Sequence, residues 1–213
     1  MRVFLGQTRS RKLVARLMTL DYGEITQPYE WPPRRFPWVL DNGAFADWQA
    51  GRPFNAEAFE QACAWASGLP ARSRPEWCVC PDRVATGTDS LAFSLNWLDR
   101  RGADYPGLRW YLAVQDGMTG EDVEPVLHRF AGIFVGGSSD WKVATGDAWV
   151  RWAHEHGVPC HIGRAGTIHK VGWTAHIGAD SVDSCFPLWE TERLDSFVDE
   201  VNGEPRQQVL IGR

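Results

Sequence analysis

A short apolar run that closes on an acidic, amide or glycine residue, followed by a stretch with helical spacing, recurs along this chain. Trp38-Val39-Leu40 ends in Asp41-Asn42-Gly43, Trp77-Cys78-Val79-Cys80 in Pro81-Asp82, and residues 110–114 in Gln115-Asp116-Gly117. Ile133-Phe134-Val135 ends in Gly136-Gly137-Ser138, Cys160-His161-Ile162 in Gly163-Arg164-Ala165-Gly166, and Ser181-Val182 in Asp183. The runs are apolar throughout rather than at alternate positions, so both faces of each strand are buried. Such strands belong to a parallel sheet with helices on its outer face. Residues 2–6 and 22–26 bring the count to seven or eight strands, which favours a compact (β/α)8 TIM-like barrel over an open doubly wound sheet.

Helical spacing is read over residues 9–20, 55–66, 88–100, 119–129, 140–156, 167–177 and 190–201. Ser10 and Asn55 are N-cap candidates, Thr119 with Asp122 makes a capping box, and Gly178 closes the helix before Asp183. Pro28, Pro32, Pro33 and Pro37 punctuate a loop that cannot be regular helix, so the barrel is expected to be irregular or incomplete there. Residues 209–211 could add a last strand. A length of 213 residues fits one barrel domain over 1–213, with no second domain.

The charge of -5 argues against a surface coated uniformly for nucleic acid, but it leaves room for a local basic face. No targeting or membrane segment is read at the start, and five cysteines then suit a reducing cytoplasm, the host's if the protein is viral. Cys78 and Cys80 have no second Cys/His pair at ligand spacing, and the six histidines form no paired motif, so no metal is expected.

In a barrel, the C-terminal ends of the strands share one face, where catalytic residues collect. Five such ends carry Asp41, Asp82, Gln115, Gly136-Gly137 and Asp183. Singly, each has another reading: a hairpin turn for Asp-Asn-Gly, a turn or N-cap for Pro81-Asp82, loop geometry for Gln115-Asp116-Gly117 and for Gly136-Gly137, and caps or surface charge for Asp180 and Asp183. Together they suit a planar purine edge. A carboxylate accepts from a ring N–H and an amine, and an amide or glycine N–H donates to a carbonyl. One carboxylate below the ring could attack a sugar C1′ while another serves as acid and base, as in retaining glycosidases.

The ordered set resembles the tRNA-guanine transglycosylase superfamily. The family's Asp-Ser-Gly-Gly-Phe-Gln is matched by Asp41-Asn42-Gly43-Ala44-Phe45-Ala46, and its Val-Gln-Gly by Val114-Gln115-Asp116-Gly117. Its Gly-Gly after an apolar strand is matched by Gly136-Gly137, and its Met-Gly-Val-Gly-Thr-Pro by Ile162-Gly163-Arg164-Ala165-Gly166-Thr167. Its Gly-Val-Asp-Met-Phe-Asp nucleophile motif is echoed by Gly178-Ala179-Asp180-Ser181-Val182-Asp183. The resemblance implies a (β/α)8 enzyme that exchanges guanine for a 7-deazaguanine base and consumes no cofactor. It implies Asp183 as nucleophile, with Asp180 as the rival, and Asp41 as general acid/base. Asp82, Gln115, Gly136 and Gly137 would bind the base.

Only Cys185 follows Asp183, so the zinc site of the tRNA enzymes is absent, and Ala46 replaces the family's Gln. The shorter chain better resembles the members, often from phage, that insert bases such as 7-cyano-7-deazaguanine into DNA. The implied partners are then guanine-containing DNA, in preference to RNA, and a free 7-deazaguanine, with no membrane and with room for a homodimer. A basic rim would serve the phosphates, with Arg164 and Lys170 first and Arg9, Arg11, Lys12, Arg34 and Arg35 behind them. Trp48 and Trp141 could stack on a flipped base, and His161 and His169 lie near the expected mouth. Rival functions are an N-glycosidic hydrolase, a non-catalytic purine-binding barrel, and a phosphate-binding metabolic barrel resting on Gly163-Arg164-Ala165-Gly166 alone.

Overall fold

Each apolar run within the described residues becomes a strand, and the eight strands there pair in parallel with their sequence neighbours until the last meets the first. The computed structural model describes residues 1–202 apart from 31, 34–36 and 190. The strands are β1 (Arg2–Leu5), β2 (Gly23–Thr26), β3 (Trp38–Leu40), β4 (Cys78–Val79), β5 (Trp110–Val114), β6 (Gly132–Val135), β7 (Cys160–Ile162) and β8 (Ser181–Ser184). β8 pairs with β1, Asp183 opposite Phe4, and closes a (β/α)8 barrel.

The helices are α1 (Arg11–Leu17), α2 (Ala44–Gln49), α3 (Ala56–Ser67), α4 (Thr88–Arg101), α5 (Gly120–Val123), α6 (Ser139–Glu155), α7 (Ile168–His176) and α8 (Thr191–Asn202). Side-chain caps start five of them: Ser10, Asn55, Thr119, Ser138 and Thr167 each accept from a backbone N–H of the first turn. The Thr119–Asp122 capping box forms, but α5 stops after one turn and continues as a 3-10 helix over Glu124–Arg129. Pro125 stands in that continuation, and its missing N–H and ring oppose a regular α-helix running through it.

Two departures fall near the proline stretch. Among the described residues, no α-helix lies in the connection between β2 and β3. It is pinned by Tyr29, whose hydroxyl donates to buried Asp47 at 2.9 Å, and by Gln7 Nε2 donating to Pro32 O at 3.2 Å. Asp41-Asn42-Gly43 is no hairpin turn, because β3 and β4 are parallel. Gly43, at φ 79°, instead opens the short helix α2. The expected strand at 209–211 lies outside the described residues, as does Glu190 of the last helix.

Side chains alternate between two cores. Inward-facing Phe4, Ile25, Val39, Trp77, Val79, Tyr111, Ala113 and Phe134 fill the barrel axis. Outward-facing residues such as Leu40, Leu112, Ile133 and Ile162 pack under α3, α4 and α6, and Val3, Leu5 and Val182 under α1, α7 and α8. The bulky interior rings are seated over glycines in, or just beyond, the next strand. A Cβ on Gly23 would lie 2.4 Å from Phe4, one on Gly132 2.5 Å from Tyr111, and one on Gly163 2.5 Å from Phe134. No described helix is long and apolar enough to cross a membrane.

Candidate functional site

At the C-terminal end of the barrel the inward positions turn polar. The alternation that points Val39, Ala113 and Phe134 inward brings Asp41, Gln115 and Gly136 to the same mouth two residues later. There Asp41, Arg164 and Asp183 line a cavity of about 420 Å³ together with Gln7, Phe45 and Trp189. A narrower recess of about 30 Å³ continues beneath it, walled by Asp82, Gln115, Gly136 and Phe134 and sharing Asp41, Arg164 and Asp183. Its size suits one or two waters.

Asp183 is 6% exposed. Its Oδ1 accepts from His161 Nε2 at 2.9 Å and from the Arg164 backbone N–H at 3.0 Å. Burial opposes its ionisation, but His161, through its hydrogen bond and through its charge when protonated, the Arg164 N–H and nearby Lys142 outweigh it and hold the carboxyl below its ordinary value. Asp41 has the opposite bias. Burial, then the charges of Asp183 and Asp82, push it up to about 7, against the Gly43 N–H and Arg164. Burial likewise raises Asp82, to about 6, against donors from Asn42 and Gln115.

Asp82, Gln115 and Gly137 are brought together, but they bond to one another. Asp82 Oδ1 accepts from Asn42 Nδ2 at 2.6 Å, and Oδ2 from Gln115 Nε2 at 2.5 Å. Gln115 Oε1 in turn accepts from the N–H of Ala85 at 3.0 Å and of Gly137 at 2.9 Å. Asn42 is thus a member of the cluster that sequence reasoning passed over as a turn residue.

Arg164 also departs from its expected place on the rim. Its backbone has φ 59°, its guanidinium sits 3.5 Å over the Phe45 ring, and an Nη donates to Gly137 O at 2.6 Å. Turned inward, it faces Asp183, Asp41 and Asp82 as their counter-charge rather than reaching out for phosphate. Lys170 is half-buried on the first turn of α7 and bonds to Ser139 Oγ at the start of α6.

The other expected residues divide. Asp180 lies at the opposite end of the barrel, where its Oδ2 faces His154 Nε2 at 2.9 Å and accepts from the Cys160 N–H at 2.7 Å; it is remote from the mouth. Trp48 is exposed on α2 beside Phe45, whereas Trp141 packs against Trp149. His169 is exposed, and so are Arg9, Arg11 and Lys12 at the start of α1; Arg34 and Arg35 lie outside the described residues.

Three residues were missed or undervalued. His161 touches Asp183. Lys142 reaches from α6 to Gly163 O, and burial with the adjacent Arg164 charge pushes its ammonium down to about 7. Its signal was present, since Lys142 falls in the buried stripe of Gly146, Trp149, Val150 and Ala153. Trp189, 65% exposed, lines the cavity from the loop after β8, a position the barrel reading itself places at the mouth. Among the described residues, no group of three His, Cys, Asp or Glu is placed to hold a metal ion.

No family model matches the chain, and no curated protein matches it. Among solved structures, RipC from Yersinia pestis aligns over 100% of this chain and 98% of its own, with a TM-score of 0.54 and 12% sequence identity. At that identity the likeness establishes the fold, an eight-stranded parallel α/β barrel, and nothing about chemistry.

Proposed function

We propose that the chain is a transglycosylase that exchanges guanine in DNA for a 7-deazaguanine base through a covalent Asp183–C1′ intermediate. One observation carries the reading: two carboxylates on one cavity have opposite proton preferences, Asp183 held ionised and Asp41 raised to about 7. Such a pair supplies a nucleophile and an acid without metal or cofactor.

In this reading Asp183 Oδ2 attacks C1′ as the bond to guanine N9 breaks. The leaving base takes the Asp41 proton. The incoming base gives its N9 proton back to Asp41, attacks C1′ and displaces the Asp183 carboxylate. The Asp82–Gln115 recess is too small for a purine as it stands. The base would therefore enter over Phe45, in place of the Arg164 guanidinium, and open the Asp82–Gln115 pair to its own donors and acceptor.

The test is incubation with guanine-containing DNA and 7-cyano-7-deazaguanine, followed by mass spectrometry of the released nucleosides. The expected product is the deazaguanine nucleoside, together with a denaturation-resistant protein–DNA adduct. Both should be lost in Asp183→Asn. An abasic product would make the barrel a hydrolase. Purine binding with neither adduct nor product would make it a binder.

A further inference from the structure

Behind Asp183 a hydrogen-bonded file runs down the barrel axis, and the acid–base pair makes no use of it. His161 is fully buried, with its ring stacked on Phe134 at 4.9 Å and met edge-on by Trp77 at 4.8 Å. It pairs in register with Ser181 across β7 and β8, and Asp183 is two residues further along the same inward face. One imidazole therefore spans both residues, with Nδ1 at 2.8 Å from Ser181 Oγ and Nε2 at 2.9 Å from Asp183 Oδ1.

Burial disfavours the imidazolium and keeps this histidine below its ordinary pKa, so the ring is neutral and carries one proton. A carboxylate only accepts, which assigns that proton to Nε2 and makes Nδ1 the acceptor of the Ser181 hydroxyl. A second donor, the Arg164 N–H, converges on the same oxygen at 3.0 Å. It does so from a left-handed residue at φ 59°, uncommon outside glycine, whose preceding carbonyl is held by Lys142 Nζ. Among the described residues, both hydrogen bonds to the Asp183 carboxyl end on Oδ1, and Asp183 lines the cavity.

We propose that His161 is a positioning residue for Asp183: locked as the Nε2–H tautomer by Ser181, it ties down Oδ1 and turns Oδ2 toward the cavity as the attacking oxygen. The inference rests on the proposed role of Asp183 as nucleophile. It explains how one carboxylate serves both halves of an exchange. Asp183 attacks as an anion and departs as an anion, and a donor fixed on its idle oxygen favours that form in each step. The charged and titratable groups that face it are His161 from β7, Arg164 from the loop after β7, Lys142 from α6, Asp41 from the end of β3 and Cys185 just beyond β8. Asp41 and Cys185, when ionised, oppose the anion; the rest favour it.

The test needs no substrate. Nitrogen NMR of the histidine rings and carbon NMR of the Asp183 carboxyl, assigned by its loss in Asp183→Asn, are followed against pH in the full chain. His161 is expected to titrate below the ordinary imidazole value and, when neutral, to carry its proton on Nε2. His161→Phe should raise the Asp183 midpoint by about one pH unit or more, a tenfold change in proton affinity. Ser181→Ala should let the Nδ1–H tautomer appear and raise the Asp183 midpoint less. If His161→Phe fails to fold, Ser181→Ala carries the test. A His161 that titrates near its ordinary value, or an Asp183 midpoint unmoved in the folded variants, would overturn the assignment. These results stand whether or not base exchange occurs. The nucleoside assay tests that reading separately, and where exchange is seen, His161→Phe should lose most rate at the acid end of the profile.

Discussion

Asp41 and Asp183 share a cavity, yet their surroundings push them apart, and the sign of each push has a consequence for stability. Asp41 has a folded pKa of about 7 against an ordinary 3.8. Between those values the folded chain keeps a proton that the unfolded chain has lost. Stability from this group is therefore complete below the unfolded value and drains away as pH rises through about 7, by up to about 1.4 kcal/mol per unit. Asp183 runs the other way: its lowered pKa stabilises above the ordinary carboxylate value, and that contribution is lost as pH falls through the folded one. Asp41→Asn mimics the neutral acid at every pH. It should raise the melting temperature by a few degrees at pH 8, with the gap closing toward pH 4, while slowing exchange by about 10²–10⁴-fold. A melting curve measured across that pH range checks the first half; a variant less stable than wild type at pH 8 would show that the native site favours the Asp41 carboxylate, against a raised pKa. A residue kept at a cost to the fold is a mark of function rather than packing.

Among the elements, the same economy shows in how neighbouring strands share the axis. Tyr111 and Gly132 are register partners on β5 and β6, and the ring lies over the glycine with its other face stacked on Trp77 at 4.4 Å. The ring has nowhere to retreat. Gly132→Ala should therefore cost about 1–3 kcal/mol by overpacking, and Tyr111→Leu in the same chain should return part of it. Gly166→Ala, where no atom lies within 4 Å of the added Cβ, should stay within about 0.5 kcal/mol in the same denaturant titration. Equal losses at both glycines would refute the ring-over-glycine account. None of this pairing was legible in the sequence, where Gly132 only opens an apolar run. The runs themselves were legible because parallel strands covered on both faces are apolar at every position. The caps at Ser10, Asn55 and Thr119 were legible because they act within one turn, through their own side chains. Whether Asp41-Asn42-Gly43 turns a hairpin or opens a helix was undecided locally; the parallel register of β3 and β4 decides it. The His161–Asp183 contact likewise appears only once β7 and β8 are aligned, whereas Lys142 could have been found as a lysine in an apolar helical stripe.

For the molecule as a whole, charge is the open question, since a chain of net charge -5 must still approach a polyanion if DNA is its partner. The two cations first expected on phosphate are committed elsewhere: Arg164 faces Asp183, Asp41, Asp82 and Asp116, and Lys170 bonds to Ser139. Among the described residues, exposed cations at this face include Arg83, next to Asp82, and those at the start of α1. The connection that leaves β1 passes Gly6 and Gln7, both on the cavity wall, and then presents Arg9, Arg11 and Lys12. Because every strand points the same way, the first residues of α1 stand on the rim where the cavity opens. Each phosphate that such a residue neutralises contributes about 0.9 to the slope of log affinity against log salt. Replacing Arg9, Arg11 and Lys12 together with Ala should therefore flatten that slope by about two to three units for duplex DNA. Free guanine should bind with unchanged affinity, because in the proposed reading the base would meet the carboxylates and Phe45, whereas the helix start would meet only the backbone. An unchanged slope would move the DNA path to another part of the rim. An affinity independent of salt in both proteins would mean that the natural substrate carries no phosphate backbone, and the same acid–nucleophile pair would then act on a free nucleoside.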